Sequence, residues 1–466
     1  MISFDAAVRA TGANVIRGER APQELRIVTD TRVVQSGETF LALRGDRFDG
    51  HSFLEEAVRK GARVLIVDET YAAGASVIPA EFGDVVVLVV PDTLRAYMAL
   101  ASSVRDRFSG EVIAITGSVG KTTTKALLTQ LLATTFGERV AASPANENNE
   151  IGVSRFLLAN AHDGHDVLVV ELGARHYGDV AALVDVAKPG IGILTNIGEA
   201  HVEIMGSRER LAETKWGLFS RGARAVLNAR DEGSLHRAPT LRDAPHWFAA
   251  TKGERISIGG RATLILGRDW LLEVDDLESR ERTVDVRLPG LHNRVNLAAA
   301  IAGAEEVGVP LEAIVGALPN VHLPAGRYEE IRISGKPRIL YDAYNANASG
   351  TVAALDAFAE EAGARRIVVL SSMAELGNET DVLHAHVGEH AAKSQPAFLL
   401  VGGAHAEMLA GGALHGGLPS ERIVHFATNE EAAQWLREHA RPEDVILLKG
   451  SRVYALEEIV ESLRRR

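Results

Sequence analysis

Seven consecutive residues, Gly117-Ser118-Val119-Gly120-Lys121-Thr122-Thr123, combine the side chains and backbone needed to hold a polyphosphate. A glycine-rich turn turns its N–H groups toward an anion, Lys121 can reach the terminal phosphates, and the Thr122 hydroxyl can ligate magnesium. The apolar run 112–115 predicts a strand before the turn, and Leu128, Leu132 and Phe136 share one face of a predicted helix after it. A phosphate site at a helix N-terminus needs that context. The usual spacing asks for glycine five residues before Gly120, where this chain has Ile115, so the loop is a shortened variant of the P-loop.

Other polar residues fall where an open α/β sheet binds ligands, beyond the carboxyl ends of its strands. Glu171 closes the run 167–170, and His201 follows the predicted strand 191–194. Together with Thr122 they form a candidate metal set, although a strand-end glutamate is more often a solvated cap and a single histidine more often structural. Lys215 reads either as a helix-surface lysine or as a site residue. Asn293 and Asn296 open a helix after Gly290, the first in a position that suits an N-cap. Arg327, at a linker, could contact a phosphate across the cleft or simply pair with an acidic surface, and Asp342 follows a predicted strand of a third domain. Of His384, His386 and His390 only the last two have i,i+4 spacing, so a solvated helix face is expected there rather than a metal cluster.

The elements that must position these groups alternate between β-branched runs and helix-period segments, which predicts an α/β fold with mainly parallel sheets. At 466 residues roughly three domains are expected: a small α/β domain over 1–104, a central P-loop domain over 105–322, and a Rossmann-like domain over 323–466. In the first, Ser52 and Glu55 suggest a capping box and Gly61 a helix stop. Strands at 255–258, 262–266, 270–274 and 283–288 predict an antiparallel edge on the central sheet. The glycine-rich stretch 402–417 reads as a loop. Lys and Arg number 50 against 62 Asp and Glu, a net charge of -12, which argues against nucleic-acid or anionic-membrane partners. The absence of cysteine excludes zinc ribbons, thiol nucleophiles and disulfides. No apolar string approaches the ~20 residues of a membrane helix, and the first residues lack the basic and apolar regions of a signal peptide, so a cytoplasmic protein, taken as monomeric, is expected.

Several strings together resemble the Mur ligases: the shortened P-loop, Asn148-Asn149-Glu150-Ile151-Gly152-Val153, Glu171-Leu172-Gly173, Ala200-His201, Gly290-Leu291-His292-Asn293-Arg294-Val295-Asn296 and Gly326-Arg327. Others are similar to the branch of that family that adds a dipeptide: Asp30-Thr31-Arg32, Asp49-Gly50-His51, Tyr344-Asn345-Ala346-Asn347, Met373-Ala374-Glu375-Leu376-Gly377 and Lys449-Gly450-Ser451. The chain departs from the family pattern at Thr31, Glu147, Ser154 and Ala348. The resemblance implies an ATP- and Mg2+-dependent ligase joining D-alanyl-D-alanine to a UDP-muramoyl-tripeptide through an acyl phosphate. It implies catalytic roles for Lys121, Glu171, His201 and Lys215, the last as a carbamate. ATP would contact residues 117–123 with Asn293, Asn296, Arg327 and Asp342. The UDP-substrate would contact Thr31, Arg32, Arg44, Gly45, Asn148 and Asn149, and the dipeptide Tyr344, Asn345 and Asn347. A ligase with another amino donor, and a P-loop kinase or NTPase, are the alternatives.

Overall fold

The computed structural model describes residues 1–18, 21–45, 48–74, 85–198, 205–252, 258–266, 269–275, 278–361, 365–374 and 376–465. Three large α/β sheets, each mostly parallel, organise them. The first has five strands in the order Asn14–Arg17, Val86–Val90, Val64–Asp68, Thr39–Leu41 and Ile27–Val28, with only Asn14–Arg17 antiparallel to its neighbour. Val64–Asp68 and Val86–Val90 are buried at every position, as continuous β-branched runs covered on both faces should be.

The central sheet has nine strands, and Glu111–Thr116 lies between Ile191–Leu194 and Val167–Glu171. After Glu111–Thr116 the chain builds Val140–Ala142 and Val167–Glu171 on one side, then crosses to Ile191–Leu194 on the other. That reversal opens a crevice at the carboxyl ends of three adjacent strands. Helices Lys121–Phe136 and Leu291–Val307 cover one face over a core that includes Ile113, Leu128, Val169, Ile193 and Ile301. The six-stranded third sheet runs Glu329–Ile331, Arg338–Asp342, Val445–Lys449, Arg366–Ser371, Phe398–Gly402 and Ile423–Phe426, antiparallel only at its first strand.

Helix Thr93–Arg105 ties the first unit to the second. Its Tyr97 and Leu100 share one continuous core with Leu41 and Ile66 of the first sheet and with Val112, Phe156 and Leu183 of the second. Arg105 donates from Nε to the Ala187 carbonyl and from Nη2 to that of Lys188, both at 2.9 Å. The third sheet has separate cores on its two faces.

Four local expectations change. The antiparallel edge consists of Trp270–Asp275 and Glu278–Thr283, whereas Ala262–Leu266 runs parallel to the unexpected strand His246–Thr251. Residues 284–288 are not a strand; Val284, Val286 and Leu288 are buried in alternation without strand partners, so the period-2 signal was real and the pairing was not. Of the strand expected at 255–258, residues 255–257 lie outside the described residues. Second, Asp49 rather than Ser52 caps the turn at Gly50–Phe53, accepting from the His51 N–H at 3.0 Å. Third, residues 402–417 contain the helix Ala406–His415. Its glycines permit close helix contact: a Cβ on Gly412 would lie 1.9 Å from the Ala385 carbonyl oxygen, and one on the facing Gly388 2.0 Å from that of Leu409. Fourth, His384 is fully buried rather than solvated, accepting the Met373 N–H at Nε2 (2.8 Å), while His386 is exposed and His390 bonds to Asp356. Among the described residues no group of three or more histidines and carboxylates is placed to hold a metal.

Gly412→Ala is expected to separate helices Thr380–Lys393 and Ala406–His415 at a cost of about 1–3 kcal/mol, because the collision is with backbone and cannot be relieved by a rotamer change. Thermal unfolding should show a lowered transition; an unchanged melting temperature would contradict this packing.

Candidate active site

Strand Glu111–Thr116 delivers the chain into the loop, and helix Lys121–Phe136 takes it away. Gly117 and Gly120 have φ of 145° and 88°, and neither has room for a side chain. A Cβ would lie 1.9 Å from Thr195 Oγ1 at the first and 2.3 Å from Asn296 Oδ1 at the second. The short loop is braced by the strand next door. Asn196 Oδ1 accepts the Val119 N–H at 3.2 Å while Thr195 Oγ1 and Asn196 Nδ2 donate to the Val119 carbonyl at 2.6 and 3.1 Å. The Gly198 N–H donates to Ser118 Oγ at 3.0 Å. These contacts leave the first turn of the helix, with no intrahelical acceptors for its N–H groups, facing the crevice. Lys121 Nζ lies across the loop and donates to the Gly117 carbonyl at 2.7 Å.

Glu171 is the anion around which the cations gather. Its Oε2 accepts from the Thr122 hydroxyl and its Oε1 from Asn148 Nδ2, both at 2.9 Å. Lys125, one turn along the helix from Lys121, lies 3.4 Å from Oε2 with both side chains almost wholly buried. Burial pushes the Glu171 carboxyl up, but Lys121, Lys125 and the bonds from Asn148 and Thr122 together hold it below the usual carboxylate range. Desolvation lowers both lysines, partly offset by Glu171 and reinforced by the charge of Arg327. Lys215, near the end of helix Arg208–Trp216, is 2% exposed rather than a surface lysine. Burial first, and the charge of Lys121 second, bring its amine down to about 7.

The crevice therefore offers fixed positive charge, a helix N-terminus and one ionised carboxylate beside a hydroxyl. That constellation suits a nucleoside triphosphate with its metal. Three family models match along the chain: "Mur ligase family, catalytic domain" over 26–103, "Mur ligase middle domain" over 115–304 and "Mur ligase, glutamate ligase domain" over 326–452. A relative from Synechocystis sp. named UDP-N-acetylmuramoyl-tripeptide–D-alanyl-D-alanine ligase is 35% identical, covering 94% of this chain and 91% of its own. The chain belongs to the Mur ligase family. A relative of the same name from Escherichia coli is 33% identical over 94% of this chain and 93% of its own. Among solved structures, MurF from Acinetobacter baumannii superposes with a TM-score of 0.84 at 27% identity, covering 100% of this chain and 99% of that one. MurF from Thermotoga maritima in complex with ADP gives 0.78 at 27% identity, covering 94% and 97%.

In this Mur ligase the third sheet adds groups to the crevice. Arg327 stacks on Tyr344, 4.6 Å from guanidinium to ring centre, and Asp342 sits 3.2 Å from the buried Lys449 ammonium. Asn293 Nδ2 donates to the Pro289 carbonyl at 2.9 Å, and the cap of its helix is Gly290. Asn296 lies against Gly120 and accepts from Thr124 at 3.5 Å. Other expected contacts are engaged locally. Asn149 caps helix Glu150–Asn160, Asn347 caps Ala348–Ala359, and Asn345 Oδ1 accepts from the Ala346 N–H. Asn148, expected on the UDP-substrate, donates to Glu171 and orients it.

The groups expected on the UDP-substrate in the first unit cluster among its own loops. Arg32 pairs with Asp30, Arg44 with Asp68 at 3.1 Å, Thr31 accepts from Lys60 through its carbonyl, and the Gly45 N–H donates to Phe48. His201 lies outside the described residues, 199–204 among them. Sequence reasoning missed Lys125, Thr195 and Ser143, whose hydroxyl accepts the Glu171 N–H at 3.1 Å. Only Lys125 left a signal, its i,i+4 spacing from Lys121.

With its amine held near 7 against ~10.4 in the unfolded chain, Lys215 binds fewer protons folded than unfolded between those values. Its contribution to stability therefore rises with pH across that window and is most unfavourable below it. Arylation of Lys215 by 1-fluoro-2,4-dinitrobenzene, which attacks only the neutral amine and does not itself titrate, followed by peptide mass spectrometry, should reach half its limiting rate near pH 7. A rate still climbing at pH 10, like that of surface lysines, would contradict the burial argument.

Proposed function

We propose that this ligase joins the amine of D-alanyl-D-alanine to the terminal carboxylate of a UDP-N-acetylmuramoyl-tripeptide at the expense of ATP, in peptidoglycan precursor synthesis. The observation that carries the reading is the Thr122–Glu171–Lys125 constellation on a shortened P-loop, in a chain similar along nearly its whole length to ligases of that name. The tripeptide carboxylate attacks the γ-phosphorus and ADP leaves, giving an acyl phosphate. The amine then attacks the acyl carbon, losing a proton, and inorganic phosphate departs as the amide forms.

The physical difficulty is that an anion must approach a polyanion. Lys121, freed from the Gly117 carbonyl, and the first-turn N–H groups neutralise the phosphates at fixed positions, so little reorganisation is needed as charge moves. The Thr122 hydroxyl and the ionised Glu171 carboxylate are adjacent hard oxygen donors and fit Mg2+, which would supply further charge neutralisation when bound. Lys125 and Asn148 keep Glu171 ionised and oriented. Lys215 in its neutral form can take up carbon dioxide to become an anionic carbamate, a group suited to the same cation. Asn296, Arg327 and Asp342 serve the nucleotide from the far wall. Arg32 and Arg44, now paired with carboxylates, are the cations for the UDP moiety. The third unit excludes water from the acyl phosphate. No helix among the described residues is long and apolar enough to cross a membrane, as suits water-soluble substrates.

Release of phosphate from ATP should require both the UDP-tripeptide and the dipeptide; turnover without the amine would favour a kinase or NTPase instead. Lys121→Ala should lose ~10²-fold or more in turnover. Lys215→Ala should lose most activity and regain part of it in added short-chain carboxylate, and full activity without carboxylate would remove Lys215 from the mechanism.

A further inference from the structure

At the amino ends of strands Arg224–Asn228 and His246–Thr251 the central sheet borders a cavity of about 630 Å3. The phosphate crevice opens at the carboxyl ends of strands that run parallel to these, so the cavity is a separate site. Its volume falls in the range of small-molecule sites. One wall is Trp216, half-buried and set edge-on against Phe219 with ring centres 4.9 Å apart.

Most of the charges around the cavity are already matched. Arg237 pairs with Glu209, and Arg224 lies 3.0 Å from Glu111 and 3.3 Å from Glu306. Glu306 also faces Arg261 and His246, and Glu213 accepts from the Tyr177 hydroxyl at 3.1 Å. Arg242 and Asp243 remain. Both line the cavity and are exposed, and among the described residues neither makes an ion pair or a side-chain hydrogen bond. Their Cα atoms are ~3.8 Å apart as consecutive residues, so a cation and an anion stand side by side at the rim. A simple anion or a simple cation would match one of them and be repelled by the other. An α-amino acid carries its carboxylate and ammonium on one carbon and matches both, and an aromatic side chain on it would pack against the Trp216 indole.

The cavity also bears on Lys215. Helix Arg208–Trp216 reaches it through Trp216 at its end, and near its start Glu209 fastens the helix to Arg237, another cavity residue. A ligand that holds both attachments holds the helix that carries Lys215.

We propose that this cavity binds an aromatic α-amino acid as a zwitterion, carboxylate on Arg242 and ammonium on Asp243, and through Trp216 and Arg237 acts on the position of Lys215. The effect on turnover rests on the function proposed above; the binding does not. Saturation-transfer NMR titrations compare tryptophan with indole-3-propionate, which lacks the ammonium, and tryptamine, which lacks the carboxylate. Tryptophan should bind tightest, with a loss of about 3-fold or more for each missing charge, the range of an exposed ion pair. In Arg242→Gln, tryptophan and indole-3-propionate should weaken while tryptamine is unchanged; in Asp243→Asn, tryptophan and tryptamine should weaken while indole-3-propionate is unchanged. Equal binding of the three by the wild type, no binding at millimolar concentration, or variants that bind as the wild type does would overturn the site. Saturating tryptophan should change the rate of amide formation by about 5-fold or more in the wild type and leave the double variant unaffected. The same response in both proteins would place the effect in the active crevice and overturn the coupling, as would no response in either. A protein that discriminates the three ligands but forms no amide would overturn the ligase reading and leave the site standing.

Discussion

A buried carboxylate cannot stay ionised without compensation, and Glu171 meets that constraint with four neighbours. Thr122 and Asn148 hydrogen-bond its two oxygens, Lys125 places a buried ammonium 3.4 Å away, and Ser143 holds its backbone N–H. The partners come from three segments, so the arrangement exists only when the P-loop helix, the strand Val167–Glu171 and the loops at 143 and 148 are assembled. The same gathering of charge gives the crevice its excess of cations. Lys121 and Lys125 act on Glu171, Arg327 acts on both of those lysines and Lys121 on Lys215, and desolvation first, with this repulsion second, presses the three lysines toward neutrality. A bound polyanion would relieve that pressure.

The three sheets are attached with unequal stiffness. Helix Thr93–Arg105 merges the first core with the second, and Arg105 fastens it to the carbonyls that end helix Asp179–Ala187. The third sheet keeps its own cores and is reached through the linker at Leu323, Pro324 and Gly326, the last at φ 71°. A hinge there would carry Arg327, Asp342 and Tyr344 with the third unit.

The chain by itself determined the P-loop, because glycine, lysine and threonine at fixed spacing between a strand and a helix have few other uses. It also determined the parallel architecture, the long helix Leu291–Val307, and the family, through strings spread over the whole length. Periodicity identified buried faces correctly even where it misjudged partners, as at residues 284–288, because burial is written in each residue and pairing is a property of two segments. Tertiary structure alone decided which groups meet. Lys125 reads as one more helix lysine until strand Val167–Glu171 brings a carboxylate to it, and between the two readings of Lys215, surface or site, only the fold decides by burying it. Asn149 and Asn347 have the residue type of ligand contacts, and the fold also makes them caps of the helices that start beside them. Short-range chemistry is legible in order along the chain; the charge state of a buried group depends on residues tens of positions away, and only the folded molecule sets that distance.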